Sequence, residues 1–502
     1  MADLLLALDQ GTTGSTAVVV DVHGNARARA NVEFPQHFPK PGWVEHDPAE
    51  IWLSVGRAVE TALAAAHARP EDLVAIGITN QRETTLIWDR KTGAPIHRAI
   101  VWQDRRTAEH CTELRGRGLL PTFVERTGLV LDPYFSGTKI RWILDAVPGA
   151  RRRAEAGELA FGTVESFLVH KLTGGDAHVS DVSNASRTLL LDIRSARWDE
   201  ELCRLLDVPT SLLPELVGNA EPVGRTRGVG FLPDGIPITG LAGDQQAALF
   251  GQTCFRQGDV KCTYGTGAFV LMNVGETPVT SASGLLGTIA YASKRGAPIT
   301  YALEGSAFIA GAAVQWLRDG LRIIDLASQI EPLARSVSDA GGVYFVPALT
   351  GLGAPYWDPD ARGLLCGLTR GTGRAHIARA TLEAIAHEVA DLIDAMASDL
   401  GARPARLRVD GGASANGLLL ELQAAYAQVP VERPRDVETT ARGAAMLAAL
   451  GVGAVDGLDA LRSWSAPEAV FGPRSDPSSA QAARAGWKTA VARARGSIPG
   501  TT

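Results

Sequence analysis

Cysteine is scarce in this chain and poorly placed for chemistry. The five residues Cys111, Cys203, Cys254, Cys262 and Cys366 are scattered, odd in number and never form a CxxC pair. That spacing excludes a zinc knuckle, a dithiol redox motif and a disulfide framework, and reduced thiols in a cytosolic compartment fit best. Positive charge is also short. Lys and Arg total 49 against 55 Asp and Glu, a formal net charge of −6, which argues against nucleic acid or an anionic membrane as a partner. The one basic cluster, Arg151-Arg152-Arg153, lies between a Pro-Gly turn and an Ala/Glu-rich stretch and reads as a solvated helix face. No run approaches the roughly 18 consecutive apolar residues of a spanning helix. The start, Met-Ala-Asp-Leu-Leu-Leu-Ala-Leu-Asp, has no basic region and no cleavage site. No signal peptide, no integral membrane segment and a cytoplasmic location are therefore expected.

What the chain does have is enough apolar material for more than one core. It runs to 502 residues, 45% of them hydrophobic, and a chain of that length ordinarily splits into two domains. Apolar β-type runs alternate with helical patterns, which indicates α/β architecture. Residues 4–8 and 17–21 read as strands around the polar turn 9–15, with a second turn at His23-Gly24-Asn25: a β-meander. The first clear helix opens at Asp47-Pro48, with Asp47 as N-cap, Pro48 at the first helical position and Glu50 closing a capping box. Ile51, Trp52, Val55, Val59 and Leu63 mark its apolar face. Past the middle the pattern recurs: strand 260–263, the turn Tyr264-Gly265-Thr266-Gly267, then strand 268–272. A helix over 377–400 ends at Gly401, a strand at 407–410 enters Gly411-Gly412, and 418–428 is helical. Two such hairpins predict duplicated domains, 1–252 and 253–502, facing each other across a cleft, with the boundary near 251–258. The Ala/Arg-rich tail after about Ser463 is expected to be a surface helix or partly mobile, without chemistry.

Four motifs carry candidate chemistry. In Asp9-Gln10-Gly11-Thr12-Thr13-Gly14-Ser15, backbone N–H groups and hydroxyls crowd one arc that suits phosphate oxygens, and Asp9 offers a carboxylate suited to Mg²⁺. It reads equally as an ordinary Gly-rich turn. Gly243-Asp244-Gln245-Gln246 puts a carboxylate at a strand end, where an ionised Asp can act as general base for phosphoryl transfer or simply cap the next helix. Asn80-Gln81-Arg82-Glu83-Thr84-Thr85 sets a fork of donors beside a fork of acceptors, apt for vicinal hydroxyls or for a surface ion pair. Trp102 and Tyr134 can pack on a carbon skeleton or fill a core. Finally, Gly411-Gly412-Ala413-Ser414-Ala415-Asn416 and Gly311…Gln315 allow close approach to a nucleotide.

Taken together these blocks are far more specific. With Pro41-Gly42-Trp43-Val44-Glu45-His46-Asp47-Pro48, Asp132-Pro133-Tyr134-Phe135-Ser136-Gly137-Thr138-Lys139, Ala242–251 and Gly351-Leu352-Gly353-Ala354-Pro355-Tyr356-Trp357, the chain resembles the FGGY family of carbohydrate kinases over almost its whole length, and within it the glycerol-phosphorylating branch. The resemblance implies two ribonuclease H-like, actin/Hsp70-like domains with ATP and substrate in the cleft between them. It implies Asp244 as the base, and Arg82, Glu83, Tyr134, Asp244 and Gln245 on the hydroxyls of glycerol, with Trp102 and Phe269 along its carbon side. It further implies Asp9 toward Mg²⁺, and Thr12, Thr13, Gly14 and Thr266 at the phosphates. Gly311, Gln315, Gly412 and Asn416 would hold the rest of the nucleotide. By the same resemblance the first domain serves substrate and phosphate, the second serves nucleotide, and the protein is a homo-oligomer, dimer or tetramer.

Two departures from the family pattern stand out. Thr16 occupies a place where a basic residue is common, and Gly14 one where Ser is common; a missing cation near the phosphates predicts an active but slower enzyme. Segment 225–235 lacks the glycine-rich basic loop and the histidine through which some relatives are regulated. The alternatives are a kinase for another small polyol or ketose, and a nucleotide-binding regulator without transfer activity.

Overall fold

The computed structural model describes residues 3–473 and 476–496. Strand β1 (Leu4–Gln10) turns through Gly11–Thr13 into β2 (Gly14–Asp21), antiparallel, with Leu8 opposite Ala17 and Asp9 opposite Thr16. Both are apolar runs buried on both faces, as central strands must be. Strand β3 (Ala26–Glu33) completes the meander on the far side of β2. Helix α1 (Pro48–Ala65) follows, Asp47 accepting a 2.8 Å bond from the Ala49 N–H as its cap. The expected capping box is absent: Glu50 instead holds His37 Nε2 at 2.8 Å. Of the expected apolar face, Ile51, Val55, Val59 and Leu63 are buried, while Trp52 lies half-buried against Phe231.

Strands β4 (Leu73–Asn80), β5 (Gly224–Arg225) and β6 (Pro237–Gly243) extend the first sheet to the order β5-β6-β4-β1-β2-β3, with β6 and β1 both parallel to β4. Helix α2 (Asp244–Gly251) leaves the end of β6. The second sheet repeats the plan. Its strands are β7 (Val260–Tyr264), β8 (Ala268–Gly275), β9 (Leu286–Tyr291) and β10 (Thr300–Ala307), joined after helices α3 (Gly311–Asp319) and α4 (Arg374–Leu400) by β11 (Leu407–Asp410). Helix α5 (Gly417–Ala427) leads to β12 (Val431–Pro434), helix α6 (Thr439–Val452) to β13 (Pro467–Phe471), and helix α7 (Pro477–Ala494) closes the described chain. The order is β9-β10-β8-β7-β11-β12-β13. In each sheet an antiparallel three-strand meander (β1-β2-β3, then β7-β8-β10) abuts two parallel strands (β4 and β6, then β11 and β12). This is a pair of ribonuclease H-like units, the actin-like two-domain fold.

The units share a core. Helix α6 follows the second sheet's parallel strands yet packs on β1, β4 and β6 of the first sheet and on α2. Ala7 of β1, Ala247 of α2, Leu271 of β8, Ala302 of β10 and Ala444 of α6 belong to one buried cluster. The approach is close enough that side chains are forbidden: a Cβ on Gly443 would overlap the Ala247 carbonyl, one on Gly251 the Thr439 carbonyl, and one on Gly77 the Ala444 carbonyl.

Of the two expectations for the tail, the structure has the surface helix. Helix α7 is anchored, not loose: Trp487 is fully buried and its Nε1 donates to Asp391 Oδ2 at 2.7 Å, while Arg484 bonds Asp391 and Asp394 of α4. Its register places Ala480, Arg484, Trp487 and Val491 on one inward face, a pattern masked in the sequence by the surrounding small and basic residues. The basic cluster forms part of the short helix Ala150–Glu155, where Arg151 pairs with Asp145 and Asp207 and Arg153 with Asp89 and Glu158. No described helix is long and apolar enough to cross a membrane.

The glycine seam generates a direct test. Gly443→Ala inserts a methyl group against backbone that has no room to yield, an overpacking cost of at least ~1–3 kcal/mol, and should lower the thermal unfolding midpoint. Gly116→Ala, at the end of helix Ala108–Gly116 with open space around it, should be neutral or stabilising by up to about 1 kcal/mol. Equal midpoints for the two variants would refute the seam.

Candidate functional site

The chain leaving β4 carries Arg82 and Glu83 into the interior, not to the surface: they are 2% and 1% exposed. A surface ion pair is thereby ruled out. The two terminal nitrogens of Arg82 grip both carboxylate oxygens of Glu304 on β10 at 2.6 and 2.9 Å. One of them also reaches Gln246 Oε1 at 3.2 Å and the other the Tyr134 hydroxyl at 3.4 Å. Arg187 is the second cation of the cluster, donating to Glu83 at 2.7 Å and to Glu304 at 2.9 Å. Burial alone would raise the Glu304 carboxyl, but Arg187 and Arg82 overcome it and hold it at about 2. The Glu83 carboxyl is raised, burial outweighing the same two arginines.

Glu83 adopts a left-handed backbone, φ 60°, which a residue with a Cβ occupies only when neighbours enforce it. The enforcement comes from the block at 132–139. Ser136 Oγ and the buried Lys139 ammonium both donate to the Glu83 carbonyl, at 3.0 and 3.2 Å, and Lys139 ties the same spot to the Tyr134 carbonyl at 2.6 Å. Burial lowers the Lys139 ammonium to about 8, against the pull of Glu83, Asp104 and Asp132.

Asp244 is the first residue of α2, Gly243 being the N-cap, so the capping alternative does not hold. One carboxylate oxygen lies 3.3 Å from Arg82 Nε and accepts the Gln245 N–H at 2.7 Å; the side chain keeps 29% exposure at the cleft. Burial raises its carboxyl above the usual carboxylate range, opposed by Arg82 and Lys261. Trp102 stands edge-on to Tyr134 and Phe269, ring centroids 5.6 and 6.5 Å apart. Arg82, Glu83, Trp102, Tyr134, Asp244 and Phe269 are thus joined by contacts into one cluster, the Arg82 pocket, with Gln245 next to Asp244 and with Phe269 and Glu304 contributed by the second sheet.

The turn after β1 is tied to this pocket by the Trp102 indole, which donates to Thr12 Oγ1 at 2.9 Å. The Gly14 carbonyl closes the turn on the Gly11 N–H at 2.9 Å, and Gly14 itself is buried against β3. Thr13 is exposed. Thr16 accepts from Asn31 Nδ2 at 2.8 Å and presents no charge. Burial pushes the neighbouring Asp9 carboxyl up to about 8; Asp244 and Glu438 push the same way and Arg29 opposes them. Arg29 belongs to β3, shares a sheet face with Asn31, and pairs with Glu438 at 2.9 Å. Such negative surroundings at Asp9 suit a divalent cation. Among the described residues, no three His, Cys, Asp or Glu could hold one unaided, so it would have to arrive with phosphate oxygens, as Mg²⁺ commonly does.

The turn after β7 is braced by α3: the Ala310 and Ala312 N–H groups donate to the Thr266 carbonyl at 2.8 and 3.0 Å, and a Cβ on Gly311 would lie 2.6 Å from the Gly265 carbonyl. Gln315 is exposed one helical turn further along. Gly411, with φ 81°, fits tightly over the Tyr264 carbonyl, whereas Gly412 faces open space. Asn416 caps α5 through a 2.9 Å bond from the Leu419 N–H. These residues gather along the second sheet's end and make no direct contact with the Arg82 pocket.

Sequence reading missed Glu304, Arg187 and Lys261, and left Lys139, inside the block at 132–139, without a role. For Glu304 and Arg187 a signal was present. Glu304 is a lone acid in an apolar strand run and Arg187 a lone base amid small and apolar residues, and such charges are almost never fully buried unless paired.

The Glu304 junction is testable. Glu304→Gln keeps the shape but strands two buried guanidinium groups, a loss of ~3–5 kcal/mol where a buried pair loses one partner. Because the native carboxyl lies at about 2, below an ordinary Glu at ~4.3, its contribution is complete above that value and lost as pH falls toward the native one. Differential scanning calorimetry should show a large midpoint deficit at pH 7 that narrows in acid.

Comparison with known proteins agrees with this geometry. Models of the FGGY family of carbohydrate kinases match the chain in both halves, the N-terminal domain at 4–251 and the C-terminal domain at 260–452. A glycerol kinase of Alkalilimnicola ehrlichii is 58% identical, covering 98% of each chain, and one of Myxococcus xanthus is 55% identical over 98% of this chain and 99% of its own. Among solved structures, the glycerol kinase of Plasmodium falciparum with ADP superposes with a TM-score of 0.92 at 37% identity, covering 98% of each chain. With two matched domains, two ribonuclease H-like sheets and one charged cleft between them, the chain belongs to the FGGY family of carbohydrate kinases.

Proposed function

We propose that this enzyme transfers the γ-phosphoryl group of ATP to a terminal hydroxyl of glycerol, giving sn-glycerol 3-phosphate and ADP. The observation that carries the reading is the Asp244 carboxylate, partly exposed and 3.3 Å from Arg82, which also reaches the Tyr134 hydroxyl and through it the rings of Trp102 and Phe269. A short carbon chain suits that aromatic corner. The glycerol kinases at 58% and 37% identity support the three-carbon substrate.

Asp244 accepts the hydroxyl proton, the freed oxygen attacks the γ-phosphorus, and the bond to the ADP oxygen breaks. Arg82 keeps the base oriented and ionised; Glu83, Gln245 and Tyr134 receive the remaining hydroxyls. Trp102 links pocket to turn, so that substrate seated on it meets phosphate held at Thr12, Thr13 and Gly14 on one side and Thr266 on the other. Gly311, Gln315, Gly412 and Asn416 form the nucleotide side. Asp9 is the carboxylate for Mg²⁺, which would neutralise phosphate charge. The first half, 1–252, serves substrate and phosphate, and 253–502 serves nucleotide. A homo-oligomer, dimer or tetramer, in the cytoplasm is proposed on the same resemblance, and five free thiols are compatible with a reducing compartment.

ADP release should depend on glycerol and be weak with xylulose, erythritol or dihydroxyacetone; preference for one of those would replace the substrate. Asp244→Asn should lower turnover by at least ~10²–10⁴-fold while nucleotide affinity stays near wild type. A regulator lacking transfer activity would show ATP binding and no turnover in either protein. The pH dependence carries a sign. Asp244 must be ionised and its carboxyl is raised, so kcat/KM should fall on the acid side at a pH above the ~3.9 of a free aspartate.

A further inference from the structure

Lys261 has no part in the sequence motifs, yet it is fully buried at the site. It lies on β7 three residues before the turn at Tyr264, and its side chain shares a sheet face with Thr263, which pairs with Phe269 on β8 and Asp410 on β11. Its ammonium donates to Gln245 Oε1 at 2.5 Å and to Thr263 Oγ1 at 2.9 Å. Burial lowers the ammonium, while Asp410, Cys262, Asp244 and Glu304 favour its charged form.

An ammonium has donors and no acceptor. The end of the Gln245 amide that faces it must be the oxygen, so the NH₂ end points away, and among the described residues Nε2 has no protein acceptor. We propose that Lys261 is a positioning residue that fixes the Gln245 amide with its NH₂ toward the substrate, making Gln245 an obligate donor to a hydroxyl oxygen. This division is complementary to Glu83, an obligate acceptor. A polyol hydroxyl bound between such groups is oriented, because it must accept from one side and donate to the other. Since Lys261 belongs to the second sheet and Gln245 to the helix leaving the first, the bond also registers the phosphate-side strand β7 against the helix that bears the base.

Lys261 also acts through charge. Asp244 faces Arg82 from the chain after β4, Lys261 from β7, Glu304 from β10 and Asp9 from β1. Arg82 and Lys261 are the cations of that set, so removing Lys261 shifts Asp244 further upward.

The inference rests on the proposed glycerol site, and the test separates the two. Lys261→Met retains length and removes the donor. Glycerol KM should rise by up to about tenfold, the upper end for one neutral hydrogen bond, with ATP KM within about twofold and the acid limb of kcat/KM moved to higher pH. Unchanged glycerol KM and acid limb in a folded Lys261→Met would overturn the proposal. If that variant does not fold, Gln245→Glu decides: it keeps an oxygen for Lys261 and deletes the NH₂, so a folded protein with weakened glycerol binding is expected, and undiminished binding overturns it. Absence of glycerol-dependent turnover in the wild type would instead sink the substrate reading. Orientation is then read without substrate, from the ¹⁵N-labelled Gln245 side-chain amide, whose resonance should move in Lys261→Met; an unmoved resonance overturns the positioning role.

Discussion

Glu304, held between Arg82 and Arg187 in a fully buried position, is the interaction on which the site depends. Two guanidinium groups from one half of the chain close on a single carboxylate from the other. Taking such charges from water costs several kcal/mol per ion, and excellent geometry is needed to offset it. The bidentate contact supplies that geometry. Its consequence is directional: with its two terminal nitrogens spent on Glu304, Arg82 turns Nε toward Asp244, and with one oxygen committed to Arg187, Glu83 is fixed in orientation. The charge cluster therefore sets the pocket's polar groups before any ligand arrives, which is the form of catalysis that phosphoryl transfer most requires.

A second constraint works at the level of backbone. Helix α6, from the second half, lies against the first sheet through glycines and alanines, and the same helix packs against α2, which begins at Asp244. Where backbones approach this closely, no side chain can relax to absorb displacement. Asp244 is thus mounted on an element wedged between the two halves. Any relative motion of the halves acts on Asp244 and on the Lys261–Gln245 bond together.

Thr16 illustrates how a local departure is read differently in three dimensions. From the sequence it signals a missing cation beside the phosphate turn. In the fold, Thr16 is one member of a row running Asp9, Thr16, Asn31 across three strands, and Arg29, two residues from Asn31 on the same face, faces Asp9 and pairs with Glu438. Positive charge is thus felt at Asp9, carried by a neighbouring strand and shared with Glu438.

By itself the sequence determined the class of fold, both hairpins, the cap at Asp47 and the helix ending at Gly401, because turn chemistry, strand alternation and ordered motif blocks are local and leave a local trace. The residues buried beside those motifs left at most a lone charge in an apolar or small-residue run, which says nothing of its partner. Glu304, Arg187 and Lys261 lie 222, 105 and 179 positions from Arg82 along the chain, taken from their numbers, and only the folding of two sheets onto one another brings their charges together. The inward face of α7 and the partner of Glu50 were likewise decided there. Pairing of a buried charge is a property of what surrounds it, and what surrounds it comes from elsewhere in the chain.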